Sequence, residues 1–274
     1  MQKLRTLDLF SGIGGFSLGL ERTGGFETVA FCEIDPFCRR VLAKHWPEAP
    51  CYDDVCALTG ERLAADGIAV DVICGGFPCQ DLSEAGERAG IDGERSGLWR
   101  EYARLIGELR PLVAIVGNVP ELLSGANGSW FSRVLGDLAA LGYDALWHCI
   151  QAADLGAAHI RDRLWITAFL PDTPEIGGVE RWGQQLAQVR APAGDVYSFS
   201  DEPEPARVAD GVPNRMDRVG ACGNAVVPQI PEMIGRVILA TPCRHESAPH
   251  HSGEAGGEGE GLVSHISQVQ HDAG

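Results

Sequence analysis

The amino-acid sequence predicts an α/β protein with a doubly wound, mostly parallel sheet. Three observations predict it: short apolar segments alternate with segments of helical spacing, a glycine-rich turn follows the first apolar segment, and an acid follows the second. The order of strand, glycine turn, helix, strand and acid is typical of a nucleotide-binding βαβ unit. With 274 residues, 45% of them hydrophobic, the chain is long enough to bury a core of this kind.

The first βαβ unit is the most regular part of the sequence. Glycines end its first predicted helix, and Pro36 is well suited to the first turn of its second. The predicted elements are a strand at 6–10, a glycine turn at 11–15, a helix at 16–22, a strand at 26–32 and a helix at 36–45.

The alternation continues to about residue 170. Apolar runs bounded by Gly, Pro or charged residues indicate buried strands, and longer segments of helical spacing lie between them. The further predicted elements are strands at 69–74, 111–116, 144–150 and 164–169, and helices at 98–109, 130–141 and 231–239.

Composition divides the chain into four segments. Residues 1–169 form the main α/β domain, and 170–206 form a small irregular region with little periodicity. Residues 207–242 return to the main domain. Residues 243–274 are rich in Gly, Ser, His and Glu and predict a disordered tail. Its histidines are compatible with metal binding, but we favour the alternative, a disordered low-complexity tail.

Charge and cysteine usage limit the functional classes. A net charge of -16 argues mildly against a nucleic-acid partner, because phosphate contacts use Lys and Arg. The nine cysteines lack a paired CxxC pattern, which predicts free thiols and no structural metal. No apolar run approaches the ~20 residues that cross a bilayer, and the first residues do not resemble a signal peptide. We therefore expect a cytoplasmic monomer without membrane contact.

Cys79 is the main candidate nucleophile. It follows the predicted strand at 69–74, two glycines and Pro78, so it lies at the carboxyl end of a strand, where open α/β sheets bind ligands. The alternative is a buried packing thiol, since free Cys is among the most buried residue types. Reactivity depends on a lowered pKa, which the sequence does not reveal.

The glycine turn and Glu33 predict a cofactor that contains a nucleoside. Glycines allow close approach of the backbone to a ligand at a helix N-terminus, and an acid after the second strand can bind ribose hydroxyls. The alternative is an ordinary α/β turn beside a surface acid. The spacing differs from GxGxxG, so it does not favour a dinucleotide.

Five segments in order carry a resemblance to a known family. They are DLFSGIGG at 8–15, EID at 33–35, GFPCQ at 76–80, RDR at 161–163 and GNAVVPQ at 223–229. Together they resemble the cytosine-C5 DNA methyltransferase family over about residues 4–170 and 206–240. The segments GERSGLW at 93–99 and VADGVPNR at 208–215 also resemble its phage and bacterial members.

The resemblance implies a Rossmann-like methyltransferase fold, S-adenosyl-L-methionine as cofactor and double-stranded DNA as partner, in a restriction–modification setting. It implies that the thiolate of Cys79 attacks C6 of a flipped cytosine, whose C5 then takes a methyl group. Arg161 and Arg163 would flank the cytosine and the phosphates. No metal is implied. The implied cofactor-binding residues are Phe10, Gly12, Gly14, Glu33, Ile34, Asp54, Pro78, Leu98, Asn224 and Ala225.

Gly117 departs from the family pattern. The family carries Glu-Asn-Val where this chain has Gly117-Asn118-Val119. That glutamate binds cytosine N3, and losing a positioned general acid costs ~10²–10⁴-fold in rate. Three interpretations follow: an inactive homologue, an active enzyme impaired by a Glu→Gly change, or a site rescued by another group. Glu121 is the nearby acid, but it follows Pro120, beyond the expected strand end. We favour a methyltransferase with strongly reduced activity; the alternative is an inactive DNA- or cofactor-binding homologue.

Two further departures concern DNA recognition. His159 replaces the usual Gln before the arginine pair and can still donate a hydrogen bond. The region at 170–206 corresponds to a short target-recognition segment, and it carries seven acids against Arg181 and Arg190. We expect weak, salt-dependent DNA binding. A transfer-RNA cytosine methylase is a third hypothesis, but the Cys-Phe-Thr typical of that branch is absent.

Overall fold

The structure is a computed structural model that describes residues 2–78, 98–157, 159–171, 221 and 223–240. Seven strands form one sheet in the order β3-β2-β1-β4-β5-β7-β6. The neighbours among β1 to β5 pair in parallel, and β7 runs antiparallel to both β5 and β6. The strands are β1 (Leu4–Leu9), β2 (Phe26–Cys32), β3 (Cys51–Tyr52), β4 (Val72–Gly75), β5 (Val113–Asn118), β6 (Asp144–Gln151) and β7 (Asp162–Phe169).

Helices cover both faces of the sheet. The helices of the described residues are α1 (Gly15–Arg22), α2 (Pro36–His45), α3 (Gly60–Ala65), α4 (Leu98–Leu109), α5 (Glu121–Ser124), α6 (Ser129–Ala140) and α7 (Gln229–Ala240). One apolar cluster joins Leu7 and Leu9 of β1 to α4 and α6, and a second joins Val72 of β4 to α1 and α7. The alternation of side chains along each strand supplies both clusters, so the sheet is buried on both faces. The predicted doubly wound, mostly parallel sheet is confirmed.

Helix α1 approaches the chain near α7 closely because two of its residues lack a side chain. A Cβ at Gly15 would lie 2.4 Å from the carbonyl oxygen of Val226, and one at Gly19 would lie 2.1 Å from that of Pro228. These glycines bring residues 226–228 against the glycine turn that precedes α1. The C-terminal part of the fold is thereby placed beside the first βαβ unit.

The structure reproduces the bounds predicted for β2, α2 and α4, and it shifts others. β4 begins at Val72 rather than residue 69, since the carboxylate of Asp71 binds the backbone N–H of Arg5 at 2.9 Å and its guanidinium at 2.8 Å. β5 extends to Asn118 rather than residue 116, which places Gly117 inside the strand. The short elements β3, α3 and α5 were not predicted, because two to six residues carry too little periodicity.

Several sequence-based predictions lie outside the described residues. They include the irregular region at 170–206 beyond residue 171, the disordered tail at 243–274 and part of the return segment at 207–242. Within the described part of the chain, no helix is both long and apolar enough to cross a membrane.

Candidate active site

A cavity of about 1010 Å³ lies at the carboxyl edge of the parallel strands. The residues that follow β1, β2, β4 and β5 line it, together with the start of β7 and the segment before α7. Open α/β sheets bind their ligands at this edge. Ten of the predicted site residues line this one cavity: Phe10, Gly12, Glu33, Ile34, Asp54, Pro78, Leu98, Arg161, Arg163 and Asn224.

Among the described residues, two predicted site residues do not line the cavity, Gly14 and Ala225. Gly14 instead lies against Trp46, whose ring would be 2.7 Å from a Cβ at this position. Ala225 contributes its carbonyl oxygen to a hydrogen bond with Arg161. Cys79 lies outside the described residues. The role of Cys79 therefore stays a prediction.

Glu33 connects the glycine turn to the end of β2. One carboxylate oxygen accepts a hydrogen bond from the backbone N–H of Gly12 at 2.7 Å, and the other accepts from that of Asp35 at 2.8 Å. Gly12 has a φ of 54°, a left-handed conformation that glycine adopts without strain. An ionised carboxylate has about four acceptor sites, so Glu33 retains capacity for a ligand hydroxyl.

Two more acids fix the wall of the cavity beside Glu33. Asp35 caps α2, and its carboxylate accepts from the backbone N–H groups of Phe37 and Cys38 at 2.7 and 2.9 Å. Asp54 accepts from the backbone N–H of Cys56 at 2.8 Å. Between the acids, Ile34 is 77% exposed, which offers an apolar surface inside an acidic rim. This combination suits a ligand with a flat apolar ring and a positive charge.

Phe77 and Trp99 hold together the two chain segments that flank the Cys79 segment. Their ring centroids are 5.5 Å apart, and Trp99 also stacks on Tyr102 at 5.8 Å. Phe77 and Trp99 are both buried. Pro78 and Leu98, next to these two rings in the sequence, both line the cavity.

Other described cysteines are poor nucleophiles. Burial raises the pKa of the Cys32 thiol, which lines the cavity, to about 12. Burial raises the pKa of Cys74 well above its ordinary value and also raises the pKa values of Cys51 and Cys56. Because the thiolate is the reactive form, a raised pKa makes these four thiols weaker nucleophiles at neutral pH.

Asp8 lies in β1 with its side chain fully buried. Its carboxylate accepts from Ser17 Oγ at 2.8 Å and from the Ser17 backbone N–H at 3.3 Å, which ties β1 to α1. Burial raises the pKa of Asp8 to about 8, and the hydrogen bonds from Ser17 only partly oppose this. Asp8 is therefore mostly protonated at neutral pH.

Gly117 lies in the cavity wall opposite Trp165, its partner across β5 and β7. The buried indole Nε1–H of Trp165 has no hydrogen-bond partner in the described structure. Glu121, at the start of α5, lines the same cavity and is exposed. Sequence reasoning missed Trp165, although it lies two residues after Arg163 and thus on the same face of β7.

Arg161 and Arg163 have different surroundings. The Arg161 guanidinium donates to the carbonyl oxygens of Gly223 and Ala225 at 2.9 and 2.5 Å. Burial lowers the pKa of Arg161, and the neighbouring Arg163 lowers it further. Arg163 donates to the carbonyl oxygen of Asp162 at 2.6 Å. Both arginines line the cavity.

The fold and the cavity define the class: an α/β protein whose sheet has the order typical of nucleotide-binding folds, with a cavity between a glycine turn and an acid. Residues 4–208 match the C-5 cytosine-specific DNA methylase family. The chain belongs to that family, which confirms the resemblance seen in the sequence.

Named relatives agree with this assignment. The chain is 36% identical to Type II methyltransferase M2.BsuMI of Bacillus subtilis over 176 residues, which cover 63% of this chain and 43% of that protein. It is 38% identical to Type II methyltransferase M.HgiBI of Herpetosiphon aurantiacus over 167 residues, which cover 61% and 37%. The matched part of the chain thus spans less than half the length of these relatives.

Solved structures share the fold. A protein from an E. coli prophage, described as a DNA modification methyltransferase, matches with a TM-score of 0.56 and 28% identity, over 65% of this chain and 50% of that one. The Dnmt2 methyltransferase of S. pombe matches with a TM-score of 0.55 over 75% of this chain and 61% of that one. At 19% identity, the second match supports the fold alone.

Proposed function

We propose that this chain is a DNA (cytosine-5)-methyltransferase that transfers a methyl group from S-adenosyl-L-methionine to C5 of a flipped cytosine in duplex DNA. The observation that carries the proposal is the single cavity lined by residues from all five family segments, in a chain that belongs to the family. Gly117, in place of the family's glutamate, keeps the rate low.

The cavity fits the cofactor. Phe10 and Ile34 offer apolar surface for an adenine ring, and Glu33 retains acceptor capacity for ribose hydroxyls. Asp53 and Asp54 add negative charge to the lining, which favours a cation. When bound, S-adenosyl-L-methionine supplies an electrophilic methyl group on a positively charged sulfur.

The chain's own groups would carry the remaining steps. The thiolate of Cys79 would add to C6 of the cytosine, so that C5 becomes nucleophilic and takes the methyl group. Loss of the C5 proton and departure of the thiolate would then restore the aromatic ring. Base flipping is required, because C6 is inaccessible in a stacked duplex.

DNA binding is expected to be weak and steeply dependent on salt. The segment at 170–206 would read the sequence, but it carries a net negative charge, so phosphate contacts would come from arginines at the cavity such as Arg163. Each phosphate contact contributes a slope of about -0.9 to the dependence of log K on log salt. A mobility-shift titration over a range of salt concentrations measures this slope.

Covalent trapping tests the proposal. A duplex containing 5-fluorocytosine holds the enzyme at the methylated intermediate, since fluorine replaces the proton that must leave from C5. We expect a complex that survives denaturing electrophoresis and requires both S-adenosyl-L-methionine and Cys79. The Cys79→Ala variant is the control.

The second candidate function is an inactive homologue that binds cofactor or DNA, and Gly117 favours it. Trapping separates the two candidates, because binding without chemistry gives no covalent complex. Absence of the complex even for Gly117→Glu, in a protein that binds S-adenosyl-L-methionine, would establish the inactive homologue.

A further inference from the structure

The guanidinium of Arg161 is bound to the main chain at the cavity wall. Its two terminal nitrogens donate to the carbonyl oxygens of Gly223 and Ala225, at 2.9 and 2.5 Å. These carbonyls flank Asn224, which lines the cavity. A planar guanidinium presents its donors in a fixed fork, so the two bonds hold both position and orientation of this short segment.

The segment needs such a donor. Gly223 and Asn224 are helical and Ala225 is not, so the helical turn ends at this point. The last carbonyl groups of a helix lack partners within the helix, and a cation near the C-terminus satisfies them and interacts favourably with the helix dipole. Arg161 performs this capping from a different part of the chain, 62 residues away from Gly223.

The backbone of Arg161 is unusual in a way that fits this contact. Its φ is 31°, a region uncommon for residues other than glycine. Strained backbone of this kind persists only where surrounding contacts hold it, and it clusters at functional sites. The two bonds to the 223–225 segment are such contacts.

Arg163 is arranged differently. Among the residues that the structure describes, its guanidinium has one hydrogen bond, at 2.6 Å to the carbonyl oxygen of the adjacent Asp162. Further donors of Arg163 remain available at the cavity, whereas two donors of Arg161 already bind main-chain oxygens.

We propose that Arg161 is a positioning residue that fixes Asn224 in the wall of the cofactor cavity, and that Arg163 alone of the pair contacts DNA phosphate. The inference rests on the proposed function, in which both arginines flank the cytosine and the phosphates. The two arginines then have separate roles: Arg161 positions the cofactor wall, and Arg163 binds the nucleic acid.

Cofactor affinity separates the two roles. Titration calorimetry without DNA should show that Arg161→Ala weakens S-adenosyl-L-methionine binding by ~10-fold or more, the scale of lost charge-assisted hydrogen bonds. Arg161→Lys retains a donor and should lie between wild type and Arg161→Ala. Arg163→Ala should bind the cofactor with an affinity within about twofold of wild type, because among the described residues the Arg163 guanidinium bonds to Asp162 and not to residues 223–225.

The salt dependence of DNA binding gives the reciprocal result. Arg163→Ala should reduce the slope of log K against log salt by about 0.9, one phosphate contact, and Arg161→Ala should leave the slope unchanged. The inference is wrong if Arg161→Ala lowers the slope while its cofactor affinity stays that of wild type.

Hydrogen exchange tests the inference even if the proposed function fails. Arg161→Ala should accelerate exchange of the backbone N–H groups of Ile230 and Glu232, which bond to residues 227 and 228 next to the anchored segment. Arg163→Ala should leave both rates unchanged. Wild-type exchange in Arg161→Ala would overturn the inference, whereas failure of the wild-type protein to bind cofactor would overturn only the proposed function.

Discussion

Gly117 and Trp165 face each other across the antiparallel pair of β5 and β7, and the ring of Phe16 lies against both. A Cβ at position 117 would lie 3.1 Å from Cζ of Phe16 and 3.4 Å from Cζ3 of Trp165. The rings of Phe16 and Trp165 meet edge to face, with centroids 5.3 Å apart. The space beside Gly117 is therefore narrow, although it opens on the cavity.

Restoring the family's glutamate should increase methyl transfer. Because a positioned general acid contributes ~10²–10⁴-fold, Gly117→Glu should raise the rate by at least ~10²-fold. Phe16 must move by a few tenths of an ångström, so the variant should lose about 1 kcal/mol of stability. Transfer of labelled methyl groups from S-adenosyl-L-methionine to DNA measures the rate, and thermal unfolding measures the stability.

Two control variants isolate the carboxyl group. Gly117→Ala introduces the same Cβ, so it should lose similar stability without gaining activity. Glu121→Gln tests whether the second acid of the cavity already assists the wild-type protein. Equal rates for wild type and Gly117→Glu, together with a large loss in Glu121→Gln, would assign the acid to Glu121 instead.

Glu33 should be more important for cofactor binding than for stability. In Glu33→Gln, one backbone N–H of Gly12 or Asp35 faces an amide NH₂ group, so the turn loosens and a charged acceptor is lost. We expect cofactor affinity to fall ~10-fold or more. Calorimetry with S-adenosyl-L-methionine measures the change.

Glu21→Gln is the matched control for Glu33→Gln. The Glu21 carboxylate accepts hydrogen bonds from the backbone N–H of Thr28 at 3.0 Å and from Nε1 of Trp46 at 2.9 Å. Unlike Glu33, it is not part of the cavity lining. It should lose comparable stability and retain its cofactor affinity. Similar losses of affinity in both variants would indicate a general loosening of the first βαβ unit.

The sequence predicted the large periodic elements and most of the cavity, for identifiable reasons. β2 is bounded by two glycines and an acid, and α2 has a proline at its start, so local chemistry determined both bounds. The contact between Arg161 and the 223–225 segment depends on chain folding over 62 residues, which no local pattern reveals. The contact of Gly14 with Trp46 was hidden for the same reason, because Trp46 approaches it from another element.

Asp8 should make stability fall as pH rises through a broad window. The unfolded carboxyl loses its proton near its ordinary pKa of about 4, whereas the folded one keeps it until about pH 8. Between these values the folded state binds more protons than the unfolded state, so this group lowers the free energy of unfolding by up to ~1.4 kcal/mol per pH unit. Its contribution to stability is complete below pH 4.

Asp8→Asn tests this pH dependence, because the amide resembles the protonated carboxyl and does not ionise. The variant should exceed wild type in the free energy of unfolding by a small amount near pH 5 and by a larger amount near pH 8, with a smaller change of its own between the two. Denaturant titrations at both pH values measure the difference. A wild-type protein as stable at pH 8 as at pH 5, with Asp8→Asn behaving identically, would show that Asp8 does not hold its proton.

A pair of glycine substitutions tests the close approach of α1 to the chain before α7. A Cβ at Gly19 would lie 2.1 Å from the carbonyl oxygen of Pro228, which is backbone and cannot rotate away, so Gly19→Ala should lose ~1–3 kcal/mol. Gly136, inside α6, is exposed and has open space around its Cβ position. Gly136→Ala should gain ~0.5–1 kcal/mol of stability because alanine favours the helix.

The same pair of variants should also differ in cofactor binding. Since Pro228 follows the 223–225 segment, Gly19→Ala should weaken cofactor binding, and Gly136→Ala should not. Denaturant unfolding and calorimetry measure both effects, and a neutral Gly19→Ala would show that α1 and residue 228 are not in contact.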